Sequence, residues 1–436
     1  MEPAAKGRRK NEAKDRIMSE SMKAGNQVRL IVLTVLTGAF AGAVVWCFLK
    51  AVSLGSALIW EVIPQGTGTR FILPALCAAG GLITGVVHHF SGNYPDELSV
   101  VLYKVKKEKH YDYHHFPAIL ASAFLPLVFG ASVGPEAGLA GIIAALCYWV
   151  GDNVTFAKNY SALYSAVGEA VTLGQLFHSP LFGIFAVEES PDEEASYGEP
   201  MPRIWKLALY ALSTAAGFGP VALLSFLFGK AMGGFPSFSE VSVSAKDYIL
   251  LVLYFAVGFL MYIIYEGSEH VLEKVSLVIP GIVRETLCGM IIGITGILVP
   301  FVLFSGEEQM AELMERFREY TPLFLIGAAL LKLVLTSFCL KFGMKGGHFF
   351  PLIFACACVG FALSMLFFED PGSHAAFTAA IVTATALGAQ LKKPVAVSFL
   401  LLLCFPVRLL FWIFLSAALG GALAKKIGER RKQGNP

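Results

Sequence analysis

Charge is scarce in this chain. Asp, Glu, Lys and Arg account for 15% of its 436 residues while hydrophobic residues make up 56%, and with a mean hydropathy of +0.65 that composition excludes an ordinary soluble domain. Alternating polarity of the strand type is missing over any useful length, and no polar stretch is long enough for a second domain. There is no P-loop, dinucleotide fingerprint or zinc motif. The expectation is therefore a protein that is not an enzyme, carries no cofactor and has no nucleic-acid partner. The eight cysteines are scattered through apolar segments without a C-x-x-C spacing. The one close pair, Cys356-Ala357-Cys358, reads as small buried hydrophobes in preference to a metal or redox site, and no disulfide framework is implied.

What the chain has instead is apolar length. A membrane-spanning helix needs about 20 mostly apolar residues, and Val28 to Lys50, Phe71 to His88, Tyr248 to Tyr265 and Leu400 to Ala424 qualify. Pro135 to Val150, Pro180 to Val187 and Pro351 to Phe368 are shorter and carry Gly or Pro at their starts. Such segments suggest helices that begin inside the membrane, tolerated only where freed backbone lines a cavity or is buried in protein. The fold class expected is an all-α polytopic membrane protein. Eight basic residues, Lys6, Arg8, Arg9, Lys10, Lys14, Arg16, Lys23 and Arg29, crowd the first 29 positions, and Lys425, Lys426, Arg430, Arg431 and Lys432 crowd the tail. By the positive-inside rule both termini are expected in the cytoplasm, with an even number of full crossings. The start lacks the apolar core of a secretory signal, so no cleavage is expected, and it reads as an interfacial helix. The short tail suggests a prokaryotic plasma-membrane protein without a cytoplasmic regulatory module.

The chain also repeats itself. The polar stretch EESPDEEASYGEPMPR, Glu188 to Arg203, separates two comparable halves. In the first, VFGASVGPEAGLAGIIAALC is followed by HSPLFGIFAVEE; in the second, KFGMKGGHFFPLIFACACVG is followed by KKPVAVSFLLLL. Gly134 and Pro180 are 46 positions apart, Gly347 and Pro394 are 47 apart. Matched broken helices of this kind are typical of transporters, whose sites lie between the repeats near the midplane. The expected organisation is an N-terminal segment 1–27, a first repeat 28–189, an acidic linker 190–203, a second repeat 204–424 and a basic tail 425–436.

A helix N-terminus offers unpaired N–H groups and the positive end of the macrodipole, so it attracts anions without a full positive charge. Weak binding of that kind suits a pathway that must also release its ion. SGNYPDEL (Ser91 to Leu98), GPEAG (Gly134 to Gly138) and GGHFFP (Gly346 to Pro351) all combine Gly with Pro at such starts. Glu136, expected at the second position of its helix, is an ionisable group at membrane depth. Its carboxylate could occupy the anion site as a tethered competitor that protonation releases, or simply stabilise the first turn. The same stretch holds Gly130-Ala131-Ser132-Val133-Gly134, the G-x-S-x-G of a nucleophile elbow, but the apolar helical flanks lack the strand context such a serine needs; an intramembrane hydrolase using Ser132 and His178 is the minor alternative. HYDYHHF, His110 to Phe116, reads as a solvated loop in preference to a metal site. His88 and His89 are expected at a helix end. Lys332 should pair with a carboxylate or carbonyls, or snorkel to the interface.

These residues resemble a known family. LLKLVLTSFCLKFGMKGGHFFPLIFACACVG is similar to the second half of the CLC chloride channels and chloride/proton antiporters, with Gly347 to Pro351 fitting G-x-F-x-P. Gly134-Pro135-Glu136-Ala137-Gly138 resembles the family's G-x-E-x-P, HSPLFGIFAVEE its N-A-P-L-x-G, and SGNYP its G-S-G-I-P. The resemblance, over about Val28 to Lys426, implies a CLC-type inverted repeat of two halves, about 18 unequal tilted helices, broken helices meeting near the midplane, and a homodimer in the lipid bilayer with a pore in each subunit. It implies transport of chloride or a similar small anion, as a channel or coupled to protons. It makes Glu136 the gating and proton-carrying glutamate and the amides of His348 and Phe349 anion ligands. The family's chloride-coordinating serine falls at Gly92, with Ser91 one position earlier. Its tyrosine ligand has no counterpart, the last tyrosine being Tyr320, and its internal proton relay falls at Ser190, beside Glu189. A site lined more by backbone than by hydroxyls follows. The His348 imidazole would add pH dependence or simply pack. A fluoride-selective member and an unrelated organic-anion transporter are the alternatives carried forward.

Overall fold

A computed structural model describes residues 24–92, 94–104, 108, 110–153, 161–176, 179–188, 203–231, 236–238 and 241–433. Glu189, Ser190, His178 and nearly all of the acidic linker lie outside the described residues. The first half runs α1 (Ala24–Ala57, continued by a π turn at Leu58–Val62 and a short helix Ile63–Thr67), α2 (Leu73–Ser91), α3 (Leu98–Tyr103), α4 (Phe116–Val128), α5 (Glu136–Asn153), α6 (Ser161–Leu176) and α7 (Pro180–Glu188). Then come α8 (Arg203–Phe228), α9 (Ala245–Ser276), α10 (Gly281–Leu298), α11 (Glu307–Arg316), α12 (Pro322–Lys341), α13 (Phe349–Phe367), α14 (Pro371–Leu391), α15 (Pro394–Leu401) and α16 (Leu410–Gln433).

Nine helices among the described residues are long and apolar enough to cross a membrane, and Phe116–Val128 and Glu136–Val150 are shorter apolar helices. The expected run Leu400 to Ala424 is not one helix: α15 stops at Leu401, a 3-10 turn covers Val407–Leu409, and α16 starts at Leu410. Pro406, which cannot donate to a helical ladder, sits at that break. Two starts also shift. Helix α5 begins at Glu136, which makes the carboxylate its first residue and leaves Pro135 outside, and α13 begins two residues before Pro351, which sits in the first turn where no N–H partner is needed. Large apolar side chains face outward, with Phe71, Phe90, Phe226 and Leu323 at 80% exposure or more, as expected of a surface solvated by lipid chains.

Close helix contact rests on small residues, because lipid supplies no hydrophobic drive between helices. Between α2 and α10 the fit is reciprocal: a Cβ on Gly81 would lie 2.1 Å from the Glu285 carbonyl oxygen, and one on Gly289 would lie 2.0 Å from that of Cys77. Glu285, 1% exposed, sits in this seam with Oε1 facing both His88 Nδ1 and Arg284 Nη2 at 3.3 Å. His88 is thus part of a buried polar cluster at the end of α2. Cys356 and Cys358 are buried in the wall of α13.

Lys332 settles on the carbonyl option. Its Nζ donates to Leu303 O at 2.9 Å and Phe304 O at 2.6 Å and lies 5.6 Å from the centre of the Phe354 ring. The ammonium fastens the turn in which Phe304 takes a left-handed φ of 56°, and Trp60 packs edge-on against Phe304 at 5.2 Å. Lys332→Met should therefore lower thermal stability in detergent at a cost of about 1–3 kcal/mol for each carbonyl left unpaired. Trp60 emission, adjacent to the turn, reports the loosening. An unchanged melting profile would remove this role from Lys332.

Candidate functional site

The two matched helix starts meet. Gly134 N–H donates to Gly347 O at 2.8 Å and Gly347 N–H returns the bond to Gly134 O at 2.7 Å, an isolated antiparallel bridge. Equivalent residues of the two halves exchanging equivalent bonds amount to a local two-fold axis. That orientation is the one an inverted repeat produces, as the family resemblance implied and the spacing of the two halves did not decide. The bridge uses the freed backbone of both loops and aims α5 and α13 at one place.

Glu136, the first residue of α5, lies there at 0% exposure. Its carboxylate reaches across to the other half, and Oε1 accepts the Phe349 N–H at 3.0 Å. This is the start of α13, where an N–H group has no partner within its own helix and the macrodipole is positive. Oε2 has no hydrogen-bond partner among the described residues. Space for the carboxylate exists because its neighbours lack side chains: a Cβ on Gly347 would come within 1.8 Å of Glu136 Cδ, and one on Gly134 within 2.0 Å of Oε2.

A cavity of about 40 Å³ adjoins the carboxylate, lined by Glu97, Leu98, Glu136, Tyr265, His348 and Phe349, with Gln390 and Glu269 also present. A larger one of about 220 Å³, with Glu61, Glu307 and Glu308 in its wall, takes Val133 and Pro135 as lining. Consecutive residues of one segment thus face two cavities, Pro135 the larger and Glu136 the smaller. Glu307, 6% exposed, is near enough to Glu136 for their charges to interact.

Of the residues expected from sequence, Glu136, His348 and Phe349 are brought together. His348 caps α13, stacks on Tyr265 with 5.7 Å between ring centres, and leaves Nε2 without a partner among the described residues. Ser91 and Gly92 are not brought into the lining. They close α2, where Gly92 takes φ 98° and its N–H bonds to His88 O at 3.0 Å, and Glu97 and Leu98 face the cavity instead. Glu189 and Ser190 lie outside the described residues. Tyr265 and Gln390 were missed: they sit deep in α9 and at the end of α14 with no motif around them. Charge at this mouth is mixed, since Lys341 Nζ lies 3.3 Å from Glu269 Oε1. Ser132 is fully buried, with Oγ 3.0 Å from Thr336 Oγ1, a packing contact that removes the elbow reading. In the loop His110 to Phe116, Asp112 accepts the His114 backbone N–H at 2.9 Å and its side chain is 49% exposed, as a solvated turn.

Fold and site together define a membrane protein with two opposed helix starts around a buried carboxylate. A profile described as voltage gated chloride channel matches residues 79–425, and the chain belongs to that family. The unrelated-transporter alternative falls with this assignment. YfeO of Escherichia fergusonii, whose name assigns it provisionally to ion transport, is 24% identical over 82% of this chain and 83% of its own. YfeO of Salmonella typhimurium is 23% identical over 78% and 82%. Among solved structures, a slow cyanobacterial Cl⁻/H⁺ antiporter shares the fold with a TM-score of 0.77 at 16% identity, covering 93% of this chain and 99% of that one. A CLC-type fluoride/proton antiporter gives 0.71 at 18% identity, covering 92% and 96%.

The fit around the carboxylate generates a double-mutant test. Gly347→Ala should cost about 1–3 kcal/mol of stability through overpacking against Glu136. In a Glu136→Ala background most of that cost should vanish, since contacting residues couple. Equal costs in both backgrounds, measured by thermal unfolding in detergent, would show that the carboxylate does not set the space at Gly347.

Proposed function

We propose that this chain moves a small halide across the membrane in exchange for protons, with Glu136 as a protonatable gate. One observation carries the reading: the Glu136 carboxylate accepts the Phe349 N–H at 3.0 Å, so an internal anion occupies a helix start suited to a transported one. Ionised, it competes with the halide for the His348 and Phe349 amides. Protonated, it loses its electrostatic hold on the helix dipole and leaves the site to the halide. The unpartnered Oε2 is the atom available to take the proton. The names of the two structural neighbours, both proton antiporters, support exchange over passive conduction.

Fluoride in place of chloride is favoured by one feature. Gly92, at the position of the family's chloride-coordinating serine, has no hydroxyl and closes α2 away from the cavity. In the same reading, repeats 28–189 and 204–424 flank the linker 190–203, the segment 1–27 and the tail 425–436 lie in the cytoplasm, and two copies pair in a prokaryotic plasma membrane with a pore in each.

Purified protein in liposomes tests this directly, with halide and proton movement followed separately. A chloride or fluoride gradient should drive proton movement in the wild type, and Glu136→Ala should keep halide flux while abolishing the proton movement. Halide flux and pH dependence unaltered by Glu136→Ala would sink the gating role, and no flux of either halide would sink the transport reading itself.

A further inference from the structure

A second carboxylate is buried in the first half without any role in the site above. Glu169, in the middle of α6, is 0% exposed, and neither of its oxygens has a hydrogen-bond partner among the described residues. Its neighbour Gly168 is pressed flat onto α5, where a Cβ would come within 2.7 Å of Ile143 Cγ2 and 2.9 Å of Cys147 Sγ. The Glu169 carboxylate lies beside the α5–α6 seam, near enough to Cys147, Tyr148 and Tyr111 for charges to interact.

Tyr111 links this seam to water. The ring is 2% exposed and its hydroxyl donates to Asp96 Oδ2 at 3.3 Å. The same oxygen is 2.7 Å from Lys104 Nζ, and the Asp96 side chain is 22% exposed. The tip of Tyr111 also touches α5, since a Cβ on Gly141 would lie 3.1 Å from its oxygen. The far end of α5 is on this side as well, with Asp152 accepting from Tyr113 at 2.9 Å. Three polar groups therefore lie along the flank of the helix that Glu136 begins: Asp96 at the solvent, Tyr111 at the level of Gly141, and Glu169 on the helix segment that meets Cys147. On α5, Glu136, Ala140, Ala144 and Cys147 share one face at helical spacing, and Glu136 and Cys147 are about 16 Å apart along the axis. That is too far for direct transfer, so the step requires a transient chain of water past Ala140 and Ala144.

No cation neutralises Glu169 among the described residues. Helix α8 meets α6 with Gly217 against Val171 and Thr214 against Gly174, so its Lys206 lies further along, away from Glu169. Helix α1 meets Val171 through Ala41, and its Arg29 and Lys50 are at least two turns off. Helix α7 runs antiparallel to α6, with Pro180 beside Gly174 and Gly183 against Ala170. Glu169 consequently lies level with the middle of α7, short of its end at Glu188; in sequence Glu189 and Ser190 follow, outside the described residues. A serine at that family relay position cannot hold a proton as a carboxylate does.

We propose that Glu169 is the intramembrane proton relay that loads and unloads Glu136 from the side of Asp96 and Tyr111, an inference that rests on the proton-coupled reading of Glu136. Each transfer moves one proton. Tyr111 donates to Asp96 and not to Glu169, so a bridging water carries its hydroxyl proton to the Glu169 carboxylate while Tyr111 regains one from the solvated Asp96 side. Glu169 then gives its proton through water to Glu136 and is left ionised for the next cycle.

The test uses the full chain in liposomes, with chloride and fluoride tried as the driving ion and a pH electrode reading proton movement. Glu169→Gln should cut proton flux by about a hundredfold, the scale of a positioned proton-transfer group, while halide flux persists. Glu169→Asp should restore proton flux, a rescue that a packing role would not produce. Should Glu169→Gln fail to reconstitute, Tyr111→Phe provides the second arm, with proton flux lowered and halide flux kept. Normal proton flux in Glu169→Gln, or uncoupling by Glu189→Gln in its stead, overturns the relay. Wild-type halide flux without proton movement also overturns it but leaves halide transport standing, whereas no halide flux in the wild type removes both.

Discussion

Two hydrogen bonds between Gly134 and Gly347, at 2.8 and 2.7 Å, organise the centre of the molecule. In a membrane every backbone group must find a partner inside the protein, and a helix that starts halfway through leaves its preceding loop exposed to that demand. Each loop here supplies the other's partner. The consequence is that α5 and α13 begin side by side, and a carboxylate on one can reach the free N–H groups of the other. Side chains at either glycine would occupy the volume taken by Glu136, so the bridge and the buried acid depend on the same two small residues.

Burying charge elsewhere follows a consistent pattern. Lys332 is neutralised by two carbonyls and an aromatic face, and Glu285 by His88 and Arg284. Both are solvated by the protein and brace a turn or a helix seam. Glu136 and Glu169 differ, because neither has a basic side chain against it among the described residues: Glu136 accepts a backbone N–H and Glu169 has no partner. A buried acid held by no cation is poorly suited to bracing and well suited to exchanging a proton. That contrast separates the structural ionisable groups from the two assigned to transport.

Much of this was legible in the residues. Apolar length announced the membrane, Gly-Pro punctuation announced the broken helices, and the near-equal spacing of the two halves announced a duplication. Glu136 could be singled out because a first-turn position is a local property of the chain, whereas the amides of His348 and Phe349 were named through the family resemblance. Leu400 to Ala424 misled because hydropathy does not register the break at Pro406. Ser91 and Gly92 close α2 while Glu97 and Leu98 line the cavity, because a motif locates a turn without deciding which of its residues face a given cavity. Tyr265 and Gln390 had no signal at all, since an isolated polar residue in a long helix looks the same whether it lines a cavity or packs.

By itself the sequence determined which segments are helices, where several of them start inside the membrane, and which acid stands at such a start, because hydropathy and backbone preference act over a few neighbouring residues. Only the tertiary structure decided that the two starts are antiparallel and bridged, that Glu136 accepts from an N–H 213 residues away, that Lys332 binds carbonyls, and that Glu169 has no partner among the described residues. Those outcomes depend on how distant helices cross. The crossing is set by where small residues on both partners allow backbones to touch, a condition on pairs of surfaces that no single stretch of chain contains.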